Sequence, residues 1–145
     1  MKSMMLAAAL VCVAPVAFAQ GTVPDLKGTW VSKGRSVVIG TNPHHPGTQT
    51  IDSPPRVREF EFTMVVEGQD GRLAWGRSSS TVANTREPFA WAISADGRTI
   101  VGSDTDGSYY MTVQSADLVE MCYTHSGLSP SKSIVATCSP MTRRR

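Results

Sequence analysis

Apolar residues in this chain tend to recur at every second position, and no stretch of useful length repeats them at the 3.6-residue helical period. Residues 58–67 are the clearest case: Phe60, Phe62, Met64 and Val66 alternate with Glu59, Glu61 and Thr63, and Glu67 follows in phase. Side chains of a strand point alternately to its two faces, so this segment reads as an antiparallel strand with one dry face and one wet face. The same reading gives strands over 26–33, 36–40, 72–80, 89–94, 98–103, 109–114, 118–125 and 133–139. Gly34 is read as the bend between the first two. Asp70-Gly71, Asp96-Gly97 and Asp106-Gly107 tolerate positive φ and mark tight hairpins. Residues 126–132 are rich in turn formers. The expected fold class is all-β: an antiparallel up-and-down meander of eight or nine strands. A long meander of short strands removes its exposed edges by closing, so a small barrel is expected.

The N-terminus stands apart from this pattern. Lys2 precedes an apolar run from Met4 to Phe18, and Ala17-Phe18-Ala19 forms a small-residue cleavage site. This is the layout of a signal peptide over residues 1–19, and the run is too short for a stable membrane span. Export to the periplasm or the medium is expected, with a single domain over 20–145. Cys12 leaves with the signal. Cys122 and Cys138 remain and are expected to pair in an oxidising compartment. If the last two strands form a hairpin centred near Pro130, these cysteines lie directly opposite each other. They share a face with Glu120, Thr124 and Ala136, whereas Val119, Met121, Tyr123 and Val135 share the more apolar one. The bond is therefore expected on the outside of the sheet, contributing roughly 3 kcal/mol by loop entropy.

Charge narrows the partners. The net charge of +2 includes Lys2, so the mature chain stands near +1. Arg143, Arg144 and Arg145 supply three of its positive charges and are expected to form a solvated, frayed basic tail. No basic face is left to attract nucleic acid.

Leu26, Gly28 and Trp30 form a Leu-x-Gly-x-Trp motif on the first strand, ahead of the meander. This opening resembles the calycin superfamily: lipocalins, avidins and secreted bacterial metalloprotease inhibitors. The resemblance implies a small closed barrel in which Trp30, with Gly28 beside it, plugs one end. It also implies a binding function, for a small molecule in the first two groups and for a secreted hydrolase in the third. With Gly34 counted as a turn, the short connections at 34, 68–71, 95–97 and 115–117 share one end. Those at 41–57, 81–88, 104–107 and 126–132 share the end where the chain enters, and three of these are long. Lipocalins and avidins bind at the former end, but this chain has elaborated the latter, and loops held by a scaffold carry function.

Candidate chemistry is sparse. Trp75, Trp91 and Tyr109 are phased to face one interior, and Tyr123 lies on the apolar face of its strand; these four are the expected lining of a small-molecule site. His44, His45 and His125 fall at the long-loop end. With Asp52, Asp104, Glu87 or water as a fourth ligand, they form a candidate zinc site. Asp104 and Asp106 flank a turn and read first as turn formers. No G-x-S-x-G elbow and no Gly-rich phosphate cradle is present. An exported binding module without catalytic residues or a resident cofactor is therefore expected, its ligand an unidentified small molecule. The alternatives are a protein-binding module or hydrolase inhibitor, and a metal-dependent enzyme using the three histidines.

Overall fold

The computed structural model describes residues 21–41, 47–81, 86–126 and 133–145. Eight strands follow in order: β1 (Gly28–Gly40), β2 (Arg56–Asp70), β3 (Leu73–Ser80), β4 (Arg86–Ile93), β5 (Thr99–Ser103), β6 (Gly107–Ser115), β7 (Leu118–Ser126) and β8 (Ser133–Arg144). Each pairs antiparallel with the next, and β8 pairs antiparallel with β1, which closes the barrel. The described residues contain no helix long and apolar enough to cross a membrane.

The count is eight because β1 runs straight through Gly34, where a bend was expected. Gly34 serves close approach, not turning: a Cβ there would lie 3.0 Å from the Ser139 side chain and 3.2 Å from the Phe60 ring. The β1–β8 ladder opens beside it, between the pairs Ser32–Met141 and Val37–Ala136. Pro140 lies in this gap and has no N–H to offer. Hydroxyls supply the missing bonds: Ser32 Oγ lies 2.7 Å from Ser139 Oγ and donates to the Pro140 carbonyl at 3.0 Å, and Thr137 donates to the Arg35 carbonyl at 2.9 Å.

Losing that bend also moves the chain's point of arrival. The connections after β2, β4 and β6 lie at the end where β1 begins, so the chain arrives at the short-turn end and the long loops lie opposite. The arrival end is shut. Trp30 is buried, and its indole N–H donates to the Leu26 carbonyl at 2.8 Å. The Leu26 amide is held by Gln69 Oε1 at 2.8 Å, and Gln69 Nε2 donates to the Pro24 carbonyl at 2.9 Å. The C-terminal arginines are not a frayed tail. The Arg143 guanidinium lies 4.4 Å above the Trp30 ring and donates to the carbonyls of Asp25, Lys27 and Ala116. It also pairs with Asp117 at 3.1 Å, and Arg145 pairs with the same carboxylate at 2.5 Å. Gly28, at φ 119°, has the backbone that an L-residue avoids.

The interior of this half is packed. Met64, Phe89, Trp91, Ile100, Met111 and Met141 are buried there with Trp30. Trp75 does not join them and is 48% exposed on the outside of β3. The inner face of β3 is Ala74, Gly76 and Ser78, because larger neighbours take the space: a Cβ on Gly76 would lie 1.9 Å from the Val65 carbonyl oxygen and 2.8 Å from the Phe89 ring. Trp75 lies instead over Gly68, at a bulge in β2. Cys122 and Cys138 are directly paired across β7 and β8 and form a disulfide on the outer face, their Cα atoms 4.0 Å apart.

Candidate functional site

Towards the long-loop end the filling stops, and a cavity of about 90 Å³ opens among β1, β2, β3, β4, β6, β7 and β8. One part of its wall is apolar: Val38, Phe60, Phe62, Met121 and Val135. Another is polar and built on the connection between β5 and β6. Asp104 Oδ1 accepts the amide N–H groups of Asp106 at 3.2 Å and Gly107 at 2.7 Å, which folds this connection into a side-chain-supported turn. Gly107 has no positive φ; a Cβ there would strike the Tyr123 ring, so glycine is needed for contact.

Two tyrosines lean on this turn. Tyr109 Oη donates to Asp104 Oδ2 at 2.5 Å. Tyr123 Oη donates to Asp106 Oδ1 at 3.1 Å, with a longer contact of 3.4 Å to Asp104 Oδ1. Their rings lie 4.9 Å apart between centroids. Burial, reinforced by the charge of Asp104, pushes both hydroxyls well above the usual phenol range, so both remain proton donors. Glu87 enters from β4, and the carboxylates of Glu87, Asp104 and Asp106 bring oxygens within 4.8 Å of one another. His125 is buried behind them, its Nδ1 2.6 Å from the Asp106 carbonyl oxygen and 3.3 Å from Asp106 Oδ2.

The phenolic protons are committed to carboxylates, so this wall offers acceptors. Its tyrosine oxygens have only lone pairs left, and the three acids have no proton to give in their ionised form. The part of a ligand meeting it must therefore donate or carry positive charge. A cation held by these three groups would have all-oxygen ligands, which suits calcium or magnesium better than zinc.

The expected site residues separate accordingly. Tyr109 and Tyr123 line the cavity. Trp91 belongs to the packed half, stacked on Phe89 at 4.3 Å and edge-on to Tyr109 at 6.4 Å. Trp75 is outside the barrel. His44 and His45 lie outside the described residues. In the sequence Asp104 and Asp106 read first as turn formers, and Asp104 and Glu87 as alternatives for a fourth zinc ligand; one signal of an acidic wall is legible there. Glu87 is in phase with Phe89 and Trp91, a charge on the inward face of its strand.

No protein-family model matches the chain, and no curated protein matches it. Among solved structures, the S-type phycobiliprotein lyase CPES of Guillardia theta is similar at 14% identity, over 83% of this chain and 89% of that one, with a TM-score of 0.36. A likeness this loose carries neither function nor site residues across.

Proposed function

We propose that this protein is an exported, calycin-like binding barrel whose cavity holds the donor-bearing head of a small amphiphilic molecule, such as an organic amine. The observation that carries the reading is the mixed lining: the acceptors Asp104, Asp106 and Glu87 and the apolar Phe60, Phe62 and Met121 border one cavity, whose other polar side chains include Arg58. Ligand sites are typically apolar hollows with a few placed polar groups. A cavity of about 90 Å³ holds roughly three water volumes. It fits a head group or a small ring, and the remainder of the ligand would extend towards the loops.

Matched sets of small amines and carboxylic acids with equal apolar bodies test this by thermal shift. Amines are expected to raise the melting temperature and acids to leave it unchanged, and the amine response is expected to vanish in Asp106→Asn. Acids binding as well as amines would refute the reading. Calcium and magnesium alone belong in the same series, because stabilisation by the ions without any amine effect would make the wall a cation site. Export is supported by the signal-like N-terminus and by the disulfide. N-terminal sequencing of the bacterially expressed protein is expected to begin at Gln20; retention of Met1 in the folded product would overturn it.

A further inference from the structure

The inward face of β2 changes character along its length. Met64, Phe62 and Phe60 follow one another from the packed half to the cavity, and the same phase then carries Arg58 and Arg56. Val57 and Glu59, in the alternate phase, are exposed. β2 begins at the long-loop end, so both arginines stand towards the mouth.

Charge on the inward face of a strand costs desolvation and calls for a counter-charge. Neither arginine has one. Arg58 lines the cavity, yet among the described residues it makes no hydrogen bond and no ion pair. Arg56 is anchored through Nη2, which donates to the Gly40 carbonyl at 2.8 Å, while its Nε is buried and has no partner among the described residues. Burial, and after it the charge of Arg58, holds the Arg56 guanidinium below its ordinary 12.5. Two guanidinium groups side by side, with N–H donors to spare and no counter-charge, suit a carboxylate.

Their place relative to the acceptor wall defines the ligand. Four strands separate β2 from β6 in either direction round the closed ring, so Arg58 lies across the barrel from the strand that carries Tyr109 and follows the Asp104 turn. Both line one cavity, with Phe60 and Phe62 bordering it as well. On the reading that this cavity takes an amine, we propose that its ligand is a small zwitterion, with the amine held by Asp104, Asp106 and Glu87 and a carboxylate at its other end held by Arg58. Arg56 stands beside that carboxylate at the mouth.

Calorimetric titration of the disulfide-bonded protein with ω-amino carboxylic acids, and with alkylamines of matching chain length, tests this. At the length that spans the cavity, the amino acid is expected to bind at least about tenfold tighter than the amine. Its methyl ester, which keeps the amine and removes the anion, is expected to fall back to the affinity of the amine. Arg58→Gln is expected to abolish the advantage and to bind the amine no more weakly. Lys33→Gln, in an ion pair on the outer face, is expected to change neither. Amine binding with no amino-acid advantage at any length overturns the zwitterion proposal and leaves the amine reading standing. An advantage that survives in the ester or in folded Arg58→Gln overturns it too. If neither amine nor amino acid binds, both readings fall. If Arg58→Gln does not fold, the ester comparison decides by itself.

Discussion

The two ends of the barrel use polar side chains in opposite ways. At the end where the chain arrives, Gln69, Arg143 and Asp117 hold backbone carbonyls, an amide and each other around a buried tryptophan. Their hydrogen bonds serve closure. At the long-loop end, Asp104, Asp106, Tyr109 and Tyr123 border an unfilled volume and bring carboxylate and phenol oxygens to its wall. The same residue classes therefore make a plug at one end and a receptor at the other. What separates the cases is whether a large apolar group occupies the axis.

The largest effect should come from the plug. Trp30→Ala is expected to lower stability by about 3–5 kcal/mol in chemical denaturation, the usual cost of deleting a large buried side chain. Any amine response measured below the melting transition should persist, and its loss in a folded variant would break the separation of the two ends. Arg143→Ala should cost about 1–3 kcal/mol by the same measurement, because it removes a contact over Trp30 and leaves several carbonyls without their donor. Asp104→Asn should reverse the balance. Its one carbonyl oxygen can still accept the turn amides of Asp106 and Gly107, and its NH2 can donate to the Tyr109 oxygen, so stability should fall by only roughly 1 kcal/mol. Calorimetric titration with an amine that stabilises the wild type should show most of the affinity gone.

Titration sharpens the same contrast. Tyr109 and Tyr123 are held above the ordinary phenol value of 10.0 in the folded protein, first by burial. A raised acid stabilises the fold fully below its unfolded value, and that stability is lost as pH climbs past about 10. Phenolate absorbance from these two rings should appear together with unfolding. Tyr109→Phe with Tyr123→Phe should shift the alkaline transition upward. The smallest effect belongs to Asp117, held below its ordinary 3.8 first by the Arg145 hydrogen bond. A lowered carboxylate gives stability that is present above the ordinary value and lost as pH falls through the lowered one. Asp117→Asn should therefore flatten the acid limb of the stability curve slightly, because these groups are solvent-screened.

The sequence by itself determined the class of fold and most of its strands, because period-two alternation is local and each Phe60–Met64 type of run carries its own signal. It also determined the disulfide: two cysteines in one hairpin can be placed by counting, and Cys122 does face Cys138 on the outside. Loop length grouped the long connections at one end, but placed that end where the chain enters, whereas they lie opposite it. Tertiary structure decided the rest. Gly34 reads as a turn in the sequence, but Phe60 and Ser139 press against it and β1 runs straight through, which reverses the end at which the chain arrives. Trp75 and Trp91 look equivalent in sequence; the bulge at Gly68 and the crowding at Gly76 send one outward and one inward. Asp104 is a turn former in sequence and in fact. That its other oxygen faces a cavity beside Tyr109 follows only from closing eight strands into a ring, which brings residues far apart in the chain to one wall.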